Sequence, residues 1–186
     1  MKTLIQLILS VVILFFFVSC SETTAPSGQS DESTTEQESG QAFVDDDESA
    51  KNILQVAVGS KDHSTLVAAV QAAELENVLV NAGPLTVFAP NNAAFDKLPE
   101  GTVGELVKPE NKSTLSRIIK YHASPGNYQI DMLKDGQSLF QASGHYIKIT
   151  KKDDEVMIGD AKILGTVQAS NGVIHVIDGV LLPPEN

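Results

Sequence analysis

Asn171-Gly172-Val173-Ile174-His175-Val176-Ile177-Asp178-Gly179-Val180-Leu181-Leu182-Pro183 contains a five-residue run, Val173 to Ile177, in which only His175 is polar. Successive side chains of a strand point to opposite faces, so a run apolar on both faces belongs to a central strand covered on each side. Asn171-Gly172 in front of it is a strong hairpin signal, because both residues accept the positive φ that tight turns require. Behind it, Asp178-Gly179 supplies a turn, Val180-Leu181-Leu182 packs back, and Pro183 ends the domain.

Lys162 to Ala169 is the other arm of that hairpin. Further back, Tyr146-Ile147-Lys148-Ile149-Thr150 alternates, Lys151 to Glu155 makes a polar turn, and Val156-Met157-Ile158 returns, which predicts a second hairpin. Upstream of Tyr128 the period becomes helical. Leu115, Ile118, Ile119 and His122 fall at i, i+3, i+4 and i+7 and share one helix face, and Ser124-Pro125-Gly126 ends that helix. Leu66, Val67, Val70, Ala73 and Val78 predict a helix with Ser64 as N-cap, terminated by Asn81-Ala82-Gly83-Pro84. Leu85-Thr86-Val87-Phe88-Ala89 is a short strand closed by Pro90. Asn91 or Asn92 then caps a short helix through Ala94, Phe95 and Leu98, and Thr102 caps a turn holding Val103, Leu106 and Val107. Phe88 and Phe95 flank the Pro90-Asn91 turn, so strand and helix are both expected to pin themselves to the core. Helices gather in the first half and strands in the second, with one strand early. That order implies an α+β domain with a largely antiparallel sheet.

The N-terminal 50 residues differ in kind. Lys2 precedes a 15-residue apolar run, Leu4 to Val18, interrupted only by Gln6 and Ser10. A membrane-spanning helix needs about 20 apolar residues. A basic start, a short apolar core and a small residue before the cut are the marks of a secretory signal, expected here over residues 1–19. Cys20, the only cysteine, follows Ser19, so no disulfide within the chain can form. Phe17-Val18-Ser19-Cys20 resembles a bacterial lipobox, with Phe17 where Leu is usual; the resemblance implies that Cys20 is acylated and becomes the mature N-terminus. Two or three acyl chains at about 0.8 kcal/mol per buried methylene anchor a protein durably, where one does not.

Residues 20–50 are expected to form the lipidated cysteine and a disordered acidic tether. Phe43 and Val44 are the only bulky apolar residues from 21 to 50, too few to offset the entropy of ordering the segment. Of 24 acids and 13 bases in the chain, nine acids lie in 21–50 and one base is Lys2, which leaves 15 acids and 12 bases, a net of −3, for residues 51–186. The acidity belongs to the tether, which extends by self-repulsion. Nothing here clusters Lys and Arg as nucleic-acid binding requires. Asp45-Asp46-Asp47-Glu48 lacks the spaced oxygens and glycine of a calcium loop and reads as solvated charge. The 136 residues from 51 to 186 suit one compact domain.

Three segments of that domain together resemble the fasciclin family: Thr86-Val87-Phe88-Ala89-Pro90-Asn91-Asn92-Ala93-Ala94-Phe95; Tyr121-His122 followed by Ser124-Pro125-Gly126; and the Asn171–Pro183 stretch. Their order and spacing are those of one complete repeat over about residues 50–184. A departure is the doubled Asn91-Asn92, where relatives often place Thr or Ser first. The resemblance implies a β-sandwich or wedge of two small sheets with helices packed along one edge. It also implies adhesion or matrix contact without catalysis, a partner-binding role for Tyr121 and His122, and structural roles for Phe88, Pro90, Asn91, Phe95, His175, Asp178 and Gly179.

The residues themselves leave His122 open between two roles. Its helical phase puts it beside Leu115 and Ile119, where an imidazole hydrogen-bonded to backbone would hold the helix against the sheet; direct partner contact is the other. His175 is expected to be satisfied in the core or facing a groove, and His63 and His145, near turns, to be exposed. No His-x-x-x-His pair, nucleophile elbow or phosphate loop occurs, so no metal, cofactor or enzymatic activity is expected. The expected function is a lipid-anchored, monomeric adhesion or matrix-interaction module with an unidentified protein or glycan partner. A periplasmic structural or small-ligand-binding lipoprotein is the alternative. Ser21 after Cys20, with no Asp there, points to the outer membrane in a two-membrane cell, with surface or periplasmic display left open.

Overall fold

The computed structural model describes residues 50–81, 83–153 and 155–184; the expected signal segment, Cys20 and nearly all of the expected tether lie outside them. The apolar run of the C-terminal stretch is β7 (Gly172–Ile177), and its neighbours show why both its faces are apolar. On one side it pairs with β1 (Leu85–Pro90) in parallel, Val87 opposite Ile174 and Phe88 opposite His175. On the other it pairs antiparallel with β6 (Ala161–Ala169), with a bulge between Ile163 and Gly165. The remaining strands are β2 (Ala123–Pro125), β3 (Ser138–Phe140), β4 (Tyr146–Lys152) and β5 (Glu155–Ile158). They complete one seven-stranded mixed sheet in the order β2-β1-β7-β6-β5-β4-β3.

The ends of that order meet. The amide of Ala142, just past β3, donates to the carbonyl of Ala123 in β2 at 2.7 Å, and Ser124 Oγ donates to the Phe140 carbonyl at 2.7 Å. The sheet therefore curls almost into a barrel, which leaves little open edge to pair with other chains. The α+β class holds; a single curled sheet stands where a sandwich or wedge of two small sheets was expected.

Curling divides the core in two. Val87, Ala89 and Ile174 face the helices, with Ile53, Leu54, Val70, Leu79, Leu115 and Ile119. Phe88 and Ile177 point the other way, into the barrel with Leu133, Leu139, Ile149, Ile158 and Leu181. Each large side chain so buried contributes about 1.5–3 kcal/mol.

The helices are α1 (Ile53–Val58), α2 (Ser64–Ala72), α3 (Glu76–Asn81), α4 (Asn92–Asp96), α5 (Thr102–Leu106) and α6 (Lys112–Tyr121). Among the described residues no helix is long and apolar enough to cross a membrane. The helix predicted through Val78 is broken. Glu74 takes φ 54°, its N–H bonds Gln71 O at 2.9 Å, and Leu75 N–H bonds Val70 O at 3.1 Å. This is a Schellman closure with glutamate in the left-handed position that glycine usually fills, so the break carries no glycine to announce it.

Two expected caps are displaced. Ser64 is the first residue of α2 and makes no cap of its own; the cap comes from Asn92, whose Oδ1 accepts Thr65 N–H at 3.1 Å. Gly101, at φ 84°, and not Thr102, precedes α5. Asn91 does cap α4, accepting Ala94 N–H at 2.9 Å. The doubled asparagine thus serves two helices.

Candidate functional site

Tyr121 ends α6 and His122 follows it, where the helix face turns down onto β1. His122 is 4% exposed. Its Nε2 accepts the backbone N–H of Leu181 at 2.9 Å, so the ring proton sits on Nδ1, which donates to the Ile118 carbonyl at 2.9 Å. The His122 carbonyl accepts Phe88 N–H at 2.8 Å. One residue thereby ties α6, β1 and the C-terminal segment together. Burial pushes the imidazole down to about 4, against a smaller upward pull from the Ile118 carbonyl, and the ring is neutral at physiological pH.

His175 is built the same way on the barrel side. Thr166 Oγ1 donates to Nδ1 at 2.8 Å and Nε2 donates to the Tyr128 carbonyl at 2.8 Å, while the ring stacks on Phe88 with centroids 5.5 Å apart. Burial lowers its affinity for a proton as well. Asp178 is half-exposed at the turn after β7. Its Oδ1 accepts Lys162 N–H at 2.8 Å and its Oδ2 meets Lys97 Nζ at 3.1 Å. The Lys162 amide first, and Lys97 after it, hold its carboxyl below the usual range. Gly179 lies so close to β6 that a Cβ there would stand 3.2 Å from Ala161 Cβ.

Phe88 and Pro90 are fully buried, but Phe95 is half-buried. It lines an apolar hollow of about 440 Å³, counted to its open mouth, with Leu66, Leu98, Leu106, Ile118 and Val180. Phe95 belongs to the lining of this hollow and to neither core cluster. His63, expected in solvent, is only 8% exposed; its Nδ1 shares a hydrogen bond with Ser60 Oγ at 2.8 Å, and burial lowers its pKa.

The hairpin brings other residues to the Tyr-His pair. The Tyr121 ring meets His145 edge-on at 6.1 Å. Beside His145, Tyr146 opens β4 and pairs across to Phe140 in β3, with the two rings edge-to-face at 5.3 Å. Strand alternation sends Ile147 and Ile149 inward and Tyr146 outward, so Tyr146 is 67% and Phe140 46% exposed. The buried motif thus lies next to a surface aromatic pair. Sequence reasoning missed it because Phe140 belongs to a three-residue strand too short for a period to register.

The family model for the fasciclin domain matches residues 61–183. Protein sll1483 of Synechocystis sp. is 46% identical over 138 residues, covering 74% of this chain and 76% of its own. The cell surface glycolipoprotein MPB83 of Mycobacterium bovis is 37% identical over 106 residues, 56% of this chain and 46% of that protein. Among solved structures, a FAS1 domain pair from the insect cell adhesion molecule fasciclin I superposes with a TM-score of 0.64 at 18% identity, over 72% of this chain and 51% of that one. This last likeness establishes a FAS1-like fold. The chain spans about half of each of the last two.

Proposed function

The chain belongs to the fasciclin family, and on that premise we propose that it is a non-catalytic interaction module, held to the cell envelope by lipid on Cys20 and presented by residues 21–50 to a protein or glycan partner. The name of MPB83, a cell surface glycolipoprotein, supports the anchoring, and the adhesion-molecule title of the solved FAS1 pair supports the interaction role. The observation that carries the reading is the exposed Phe140–Tyr146 pair. Aromatic side chains are the commonest anchors of interfaces because they bury large area while losing few rotamers. Tyr121 and His122 act from beneath as positioning residues: His122 locks the end of α6, and Tyr121 sets the edge of the His145 ring.

Cells displaying the full chain test this. Protease shaving should release the domain, and Phe140→Ala with Tyr146→Ala should abolish attachment to matrix-coated surfaces at an unchanged melting temperature. Attachment that survives the double change, or a domain protected from protease on intact cells, overturns the proposal.

A further inference from the structure

Between α3 and the β1–β2 corner runs an open apolar groove of about 560 Å³, lined by Leu75, Val78, Leu79, Leu85 and Ala123, with Lys120 at its side. Val78 points into it 51% exposed. An apolar side chain left half-exposed in an apolar groove gains when a further apolar group covers it. The described part of the chain begins beside this channel. The Lys51 carbonyl accepts Ser170 N–H at 3.0 Å, the next residue, Asn171, donates to Leu79 O at 2.8 Å, and its own carbonyl accepts Leu85 N–H at 3.1 Å. The entering chain is therefore one residue removed from two of the groove's walls.

We propose that Phe43-Val44 docks into this groove within the same molecule. It is the only bulky apolar pair between residues 21 and 50. Six residues separate Val44 from Lys51, so the seven Cα–Cα steps at ~3.3 Å each reach about 23 Å, enough to enter the channel. The intervening Asp45-Asp46-Asp47-Glu48 run brings negative charge toward Lys120, which makes no ion pair among the described residues. Docking shortens the tether by the residues it ties down and covers an apolar strip beside α3. The acidic run, read above as merely solvated, becomes the electrostatic part of a latch.

The chain contains no tryptophan, so Phe43→Trp introduces a single reporter. The test uses the full exported chain with Cys20→Ser to keep it free of lipid. Expected is a blue-shifted emission, unchanged on dilution and moved to the red by Val78→Asp and by Lys120→Glu, with circular dichroism confirming that both variants fold. Red emission in the parent overturns the proposal. So does a blue shift lost on dilution, which assigns the groove to a second copy, and so does a blue shift indifferent to both groove changes, which buries the indole elsewhere.

Discussion

His122 Nε2 accepts the backbone N–H of Leu181 at 2.9 Å, and 59 residues of chain close on that one bond. The imidazole can accept it only while unprotonated. In the fold the ring takes a proton near pH 4, whereas the unfolded chain does so near 6.5. Between those values the unfolded state binds more protons, so stability is full above about pH 6.5 and declines as pH falls toward 4. His122 alone accounts for on the order of 3 kcal/mol of that decline. Buried His63 and His175 shift in the same direction. Urea midpoints from pH 7.5 to 4 measure the slope, and in His122→Gln it should be visibly flatter.

Gly172 should tolerate no side chain. Its φ is +155°, and a Cβ there would lie 1.8 Å from the Leu85 carbonyl oxygen, inside the parallel β1–β7 register. Backbone cannot yield as a flexible side chain can. Gly172→Ala should cost at least ~3 kcal/mol by denaturant unfolding. Gly165→Ala, with open space around it, should change stability by less than about 0.5 kcal/mol.

Asn171 holds two helices at once. Its Oδ1 accepts Ile53 N–H at 2.9 Å at the start of α1, and its Nδ2 donates to Leu79 O at 2.8 Å and Val80 O at 3.2 Å in α3. Asn171→Ala leaves those backbone groups without partners, for a loss of about 2–3 kcal/mol. Faster amide hydrogen exchange in α1 and α3, with β4 and β5 unchanged, is the signature to measure.

Asn91 and Asn92 should separate by where their loss is felt. Asn91→Ala removes the cap of α4, at about 1 kcal/mol. Asn92→Ala removes the cap of α2 together with the bond to the Lys61 carbonyl at 3.0 Å, so amides near Thr65 should exchange faster although they lie 27 residues away.

Period and turn chemistry are local, and what depends on them was readable along the chain. Alternation in Tyr146–Thr150 and the unbroken apolar run of β7 each correspond to a strand found in place, as does the four-residue face of α6; the hairpin turn lies one residue earlier than read, at Ser170-Asn171, with Gly172 already in β7 opposite Ala169. Strands β2 and β3 escaped because three residues hold no period. The Glu74 break escaped because a glutamate, and not a glycine, takes the left-handed position, with Val70 and Leu75 buried on either side of it. Asn171 was legible as a turn residue and not as a clamp, since its side-chain partners lie over 90 and over 110 residues away.

By itself the sequence determined the α+β class, the central strand and the family, because spacing and chirality act between near neighbours. Only the tertiary structure decided that the sheet curls until β2 meets β3, that the inward His122 ring takes its bond from Leu181 and that Phe140 meets Tyr146 at the surface. Those outcomes follow from which distant backbone groups must find partners once the apolar faces are buried, and no local pattern records them.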